Sequence, residues 1–161
     1  PAKVQNDPVN VQVIKSWIIN ICINKILYKM DNKAIVYLLL RLGVGMSMFG
    51  HGLVRLPKLQ GFSNWMVKSF ESSMLPSSLV LPFSYALPIA EFLIGALLLI
   101  GLFTRYSLIA GCIVMILLIF GTTMVENWEA LPTQLIHLGL MEVLLLFVQY
   151  NYCSVDKLVK K

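Results

Sequence analysis

Charge is what this chain has least of. Only 13% of its 161 residues are charged and 58% are hydrophobic, where a soluble domain carries about a quarter charged. The charges are bunched outside four apolar runs. That excludes a soluble domain and describes an integral membrane protein, with length for one domain. Cysteine is nearly as scarce: Cys22, Cys112 and Cys153, with no CxxC pair. The missing pair argues against a disulfide-exchanging quinone reductase, which can likewise be a four-helix bundle. Iron–sulfur spacing and a dinucleotide fingerprint are missing too, so the chain is not expected to complete a redox cycle alone. Cys112 sits in an apolar run, where a thiol behaves as a small hydrophobe. Cys22 and Cys153 are expected on the cytoplasmic side, where no disulfide is expected. Nothing after Pro1 reads as a cleavable signal peptide. The net charge of +5 bears on topology and lipid headgroups before nucleic acid, and no nucleic-acid partner is expected.

What is there organises itself around Arg41–Arg55, which holds one arginine inside an apolar run, four glycines and His51. The expected fold is all-α: a four-transmembrane-helix bundle with an N-terminal interfacial amphipathic helix. Residues 1–33 form the tail and that helix, 34–153 the bundle and 154–161 a basic cytoplasmic tail. In residues 9–30 Gln12, Lys15, Ser16, Asn20 and Asn24 recur at helical spacing, with Ile14, Trp17, Ile18 and Ile21 on another face. This is the pattern of an interfacial helix, with a spanning or partner-binding helix as alternatives. The first span runs from about Ala34 to Val54 and stops before Pro57. Residues 58–78 form a long connection in which Phe62, Trp65, Met66 and Phe70 predict a short helix, either a surface anchor or a lid over the bundle mouth. The second span covers about Leu79–Phe103 and contains Pro82 and Pro88; the third, Tyr106–Val125, has no charge; the fourth runs from Thr133 to about Tyr152. The distribution of Lys and Arg places both termini in the cytoplasm.

An ionised side chain in hydrocarbon costs roughly 3 kcal/mol or more, so Arg41 needs a partner or a wet cavity. At about 1.5 Å per residue, Glu91 and Glu142 fall near mid-membrane, and His51 and His137 at a shared depth near the outer face. The expected polar core is therefore Arg41 with Glu91 or Glu142, one carboxyl being neutral or paired with a protonated histidine. A buried pair of that kind is also explained by helix register alone, and membrane histidines by bonds to a neighbouring helix. The candidate catalytic set is His51, Glu91, His137 and Glu142, as proton relay or ligand contacts, with His51 and His137 as cofactor-binding residues and no metal ligands.

These residues together resemble the DoxX family of small four-helix membrane proteins. The matching stretches are Arg41-Leu-Gly-Val-Gly, Phe49-Gly-His-Gly-Leu-Val-Arg-Leu, Gly61-Phe62, Glu91-Phe-Leu-Ile-Gly95 and Leu97 through Arg105 with Tyr106-Ser107. The resemblance runs from about Ala34 to Tyr152. It implies a protein of a bacterial or archaeal inner membrane linked to quinone chemistry; similar members include a thiosulfate:quinone oxidoreductase subunit, and others associate with oxidative-stress enzymes. It carries over Arg41, His51 and Glu91; His137 and Glu142 rest on depth alone. The expected function is a quinone- or quinol-interacting membrane subunit of an oxidoreductase system, with electrons supplied by a partner protein. The alternative is a non-enzymatic assembly or anchoring subunit of a larger complex. Haem b between His51 and His137, and a small transporter using Glu91 beside Pro88, rank below these.

Overall fold

The computed structural model describes residues 31–159, and these are helical with no strand among them. Helix α1 spans Asn32–Arg55. A 3-10 turn at Leu56–Lys58, with Pro57 inside it, leads into α2, Leu59–Ser69. Then come α3 (Ser77–Ile100), α4 (Thr104–Met124) and α5 (Leu131–Leu146). A second 3-10 turn at Val148–Tyr150 and the short α6, Val155–Val159, complete the described chain. Among the described residues, three helices are long and apolar enough to cross a membrane: α1 with its continuation into α2, α3, and α4. α5 has 16 residues, about 24 Å, and stops at Leu146 where the sequence predicts a fourth span to about Tyr152. The predicted amphipathic helix at 9–30 lies outside the described residues.

The outward faces are as apolar as the core. Leu39, Met46, Leu93, Ile113, Ile136 and Leu146 are all exposed, which is what hydrocarbon as solvent permits. Inside, Val44, Met48, Ile94, Leu98, Leu108 and Met141 form the main cluster. A second cluster joins α2 to the first half of α3 through Met66, Val80 and Leu87. Two hydrogen bonds fix that contact, Ser84 Oγ to Ser63 Oγ at 2.7 Å and Tyr85 OH to Gln60 Oε1 at 2.9 Å. The predicted short helix is therefore real, and Trp65 on it stays exposed.

The closest approach in the bundle is between α1 and α3. A Cβ at Gly52 would stand 2.6 Å from Phe92 Cα, and one at Gly95 would stand 2.6 Å from Phe49 Cα. The two backbones touch at both places, which small residues allow. This contact also sets the register. Gly52 is level with Phe92, so the far end of α1 meets the middle of α3, and α2 covers the rest of α3. The helices are staggered, not flush.

α3 ends at Gly101 in a left-handed conformation, φ 69°, with Leu102 N–H returning to Leu97 O at 3.0 Å and Gly101 N–H to Leu98 O at 3.3 Å. Glycine is required there twice over, because a Cβ would also fall on the Arg41 guanidinium and on Ser154. Residues 154–159 fold back onto this reversal. The Asp156 carboxylate accepts the N–H of Phe103 at 2.7 Å and of Thr104 at 2.8 Å, capping α4 from 52 residues away. Its own N–H donates to Gly101 O at 3.0 Å. Asp156→Ala is expected to cost about 1–2 kcal/mol, the worth of a helix N-cap, in reversible unfolding of the detergent-solubilised protein. It should also open the chain to protease after Tyr150. Unchanged stability and an intact C-terminus would show that this clasp contributes nothing.

Candidate functional site

Two polar layers interrupt the apolar interior. The first lies where α3 reverses into α4. Arg41 is 2% exposed, and its guanidinium donates to Asn151 Oδ1 at 3.1 Å and to the Cys153 carbonyl at 2.8 Å. Asn151 Nδ2 in turn donates to Thr104 Oγ1 at 2.9 Å. The expected grouping of Arg41 with Glu91 or Glu142 does not form. The stagger is the reason: Gly52 is level with Phe92, so Arg41 stands eleven residues, roughly 16 Å, along α1 from the level of Glu91. Its two terminal nitrogens donate to an amide and a backbone carbonyl instead of a carboxylate, and its Nε is buried with no partner among the described residues.

The second layer holds the residue that does pair with Glu91. Arg55, at the end of α1, forms an ion pair with the Glu91 carboxylate; the side chains are 30% and 3% exposed. Glu91 sits three residues after Pro88, whose ring leaves the Ser84 carbonyl without its helical donor. The Arg55 guanidinium lies 4.9 Å from the centre of the Phe62 ring on α2. Arg55 thus ties α1, α2 and α3 together at one point.

This pair forms one wall of a cavity of about 440 Å³ between α1, α2, α3, α4 and α5, within the range of small-molecule sites, roughly 300–1,000 Å³. His51, His137, Gln134 and Asn127 are among its other polar residues, with the hydroxyls of Ser69, Thr122 and Thr133; Met48, Phe62, Trp65, Met66, Phe70 and Phe83 are among its apolar ones. The predicted anchor or lid is accordingly a wall of the cavity, since Phe62, Trp65 and Met66 all belong to α2.

The two histidines come together, with ring centres 6.4 Å apart and edge to face, but they are not equivalent. His137 Nδ1 lies 2.8 Å from the Thr133 carbonyl, which only accepts, so this nitrogen carries the proton. Nε2 is hydrogen-bonded to Ser47 Oγ at 2.7 Å. Both nitrogens of His137 are spoken for. Neither ring nitrogen of His51 has a hydrogen-bond partner among the described residues, and His51 is exposed while lining the cavity. His51 is the imidazole available to a ligand. Gln134 Nε2 donates to Thr122 Oγ1 at 2.7 Å, and its Oε1 is buried with no partner among the described residues.

Glu142 is in neither layer. It is exposed on the outer surface of α5, and no hydrogen bond or ion pair reaches it among the described residues. Its placement in a polar core with Arg41 fails because the inward face of α5 is Met141 and Leu144, both 0% exposed. The next residue around the helix points away.

Sequence reasoning missed Arg55 as the partner of Glu91, although Arg55 stands in the quoted motif, and it missed Ser47, Asn151, Thr122 and Asp156. The DoxX family model matches residues 36–124. No curated protein and no solved structure matches the chain.

Proposed function

Because the chain belongs to the DoxX family and is built of apolar, membrane-length helices, we propose that the cavity beside His51 receives the head of a quinone or quinol, and that the protein is the quinone-interacting membrane subunit of an oxidoreductase system in a bacterial inner membrane. The observation that carries this reading is the free imidazole of His51 in a cavity that is otherwise mostly apolar and aromatic. A flat ring with two oxygens at its edges needs apolar walls for its faces and one or two placed polar groups for its oxygens. Met48, Phe62, Trp65 and Phe83 supply the first, and His51 supplies the second.

A quinone brings two-electron, two-proton chemistry to such a site, and this chain's residues bind and orient it. His51 hydrogen-bonds one ring oxygen. Glu91, paired with Arg55, is an acceptor for a proton at the cavity wall. His137 positions His51 by ring contact and is itself locked by Ser47 and Thr133. That lock also speaks against haem held between the two histidines, because His137 would have to give up one of its two bonds. With no paired cysteines and no dinucleotide fingerprint in the sequence, electrons come from a partner. Four passages of the chain, α5 with the turn after it being the last, would leave both termini on the cytoplasmic side with the lysine-rich ends.

The test is the quinone content of lipid extracted from the purified full chain. The wild type should retain close to one quinone per protein, and His51→Ala should lose at least about tenfold of it while unfolding at the same denaturant concentration. Quinone at the level of bulk membrane lipid in the wild type would reject the reading.

A further inference from the structure

Among the described residues, Glu142 is the one carboxylate within helices α1 to α5 that the cavity and the Arg41 layer leave unused. Its depth is set by its neighbours. Met141 Sδ lies 2.7 Å from where a Cβ of Gly111 would stand, and Glu142 is within electrostatic reach of Cys112. Gly111 and Cys112 are the eighth and ninth of the 21 residues of α4. Glu142 is therefore well inside the apolar slab, about 12 Å from the start of α4, and faces outward. Around it α5 offers a flat stripe. Leu135 is 51% exposed and Leu146 is 70% exposed. Gly139, one turn from Glu142, has nothing within 4 Å of a Cβ position.

A carboxyl on a lipid-facing surface at that depth is costly, and membrane proteins place such groups against a partner. A small residue one turn away lets another helix come close, and a polar side chain then bonds across the contact. We propose that this face of α5 docks a transmembrane helix of another membrane protein, one that carries a lysine or arginine at mid-depth opposite Glu142. Charge decides the occupant. Among the described residues, the arginines inside the bundle are both committed, Arg41 to Asn151 and Cys153 and Arg55 to Glu91. A second copy packed on the same face would bring a like carboxyl to Glu142 and no cation. No described residue supplies the complement, so the proposed occupant is another chain, and Gly139 sets where its backbone passes.

The full-length protein, labelled with a donor fluorophore and reconstituted in phosphatidylcholine vesicles, is titrated with two acceptor-labelled synthetic peptides. Both are leucine–alanine transmembrane helices; one has a single central lysine and the other leucine there. The lysine peptide should associate about five- to thirtyfold more tightly. That preference should vanish in Glu142→Leu, and Gly139→Leu should weaken it with the charge still present. Glu142→Asp should keep part of it, a rescue that a merely structural role would not give. Equal binding of the two peptides would mean a protonated carboxyl facing lipid, and would overturn the proposal. So would energy transfer between differently labelled copies of the protein that Glu142→Leu abolishes, since the occupant would then be a second copy. Lysine-peptide binding that appears only after deletion of residues 1–30 would assign the face to the chain's own N-terminal segment and overturn it likewise. Quinone content is not read in this experiment, so the two proposals stand or fall separately.

Discussion

Gly52→Val and Gly95→Val are expected to yield no folded protein. At each position a Cβ would run into backbone of the facing helix, Phe92 for Gly52 and Phe49 for Gly95. A flexible side chain in the way can turn aside, but a main chain held in a helix cannot. The only relief is to push α1 and α3 apart. That breaks the Phe49–Phe92 ring contact at 4.9 Å and draws Arg55 away from Glu91. Ordinary overpacking costs 1–3 kcal/mol, occasionally more. Here even alanine should exceed about 3 kcal/mol, and valine should exhaust a stability that is of order 5–15 kcal/mol for most domains. Gly43 is the control. It lies on the same helix with nothing within 4 Å of its Cβ position, and Gly43→Ala should be neutral or gain about 0.5–1 kcal/mol from helix propensity. Monodisperse elution in mild detergent and reversible unfolding in sodium dodecyl sulfate read the series. A folded Gly95→Val would mean that the two helices do not touch there.

The second large effect is expected at Arg55. Arg55→Leu leaves Glu91, 3% exposed, without its cation. Removing one member of a buried pair costs about 3–5 kcal/mol, because an uncompensated charge remains. Glu91→Leu should cost less, since Arg55 keeps nearly a third of its side chain exposed and still rests on Phe62. Arg55→Leu with Glu91→Leu should recover most of the loss, as apolar replacements of whole buried pairs do. Stability and quinone content then separate. If Glu91 serves the cavity, the double variant is stable and still empty of quinone. A stable double variant with wild-type quinone content would make the pair a purely structural tie.

The long apolar elements were open to reading from sequence because their signals are local. The apolar runs and the Pro57 break each act within a few residues, so the expected bounds of the first three spans fall within about three residues of the helices. Helix direction also sufficed to bring His51 and His137 to one level. The pairing of charges did not follow, because reading depth from helix ends assumes that all helices begin at one surface. The glycine contacts of α1 and α3 shift that origin, and nothing in a single helix records the shift. Asn151 and Asp156 were missed for a different reason. A short polar residue in a tail carries the same signature whether it is solvated or clasped, and an arginine that donates to an amide and a carbonyl leaves no opposite charge to look for. Glu142 was placed inward by depth alone, although its neighbours Met141 and Leu144 were the better candidates for the buried face.

The Arg41 layer has a consequence in time. Arg41 and Asn151 are 110 residues apart, and ribosomes add roughly 5–20 residues per second. For about 5–20 s at those rates, the first apolar helix holds a guanidinium whose acceptors have not yet been made. The residues that accept from it are made only 110 and 112 positions later. A chain that stops short of Asn151 keeps an arginine in α1 without these two acceptors, so synthesis through Cys153 is built into its retention in the membrane.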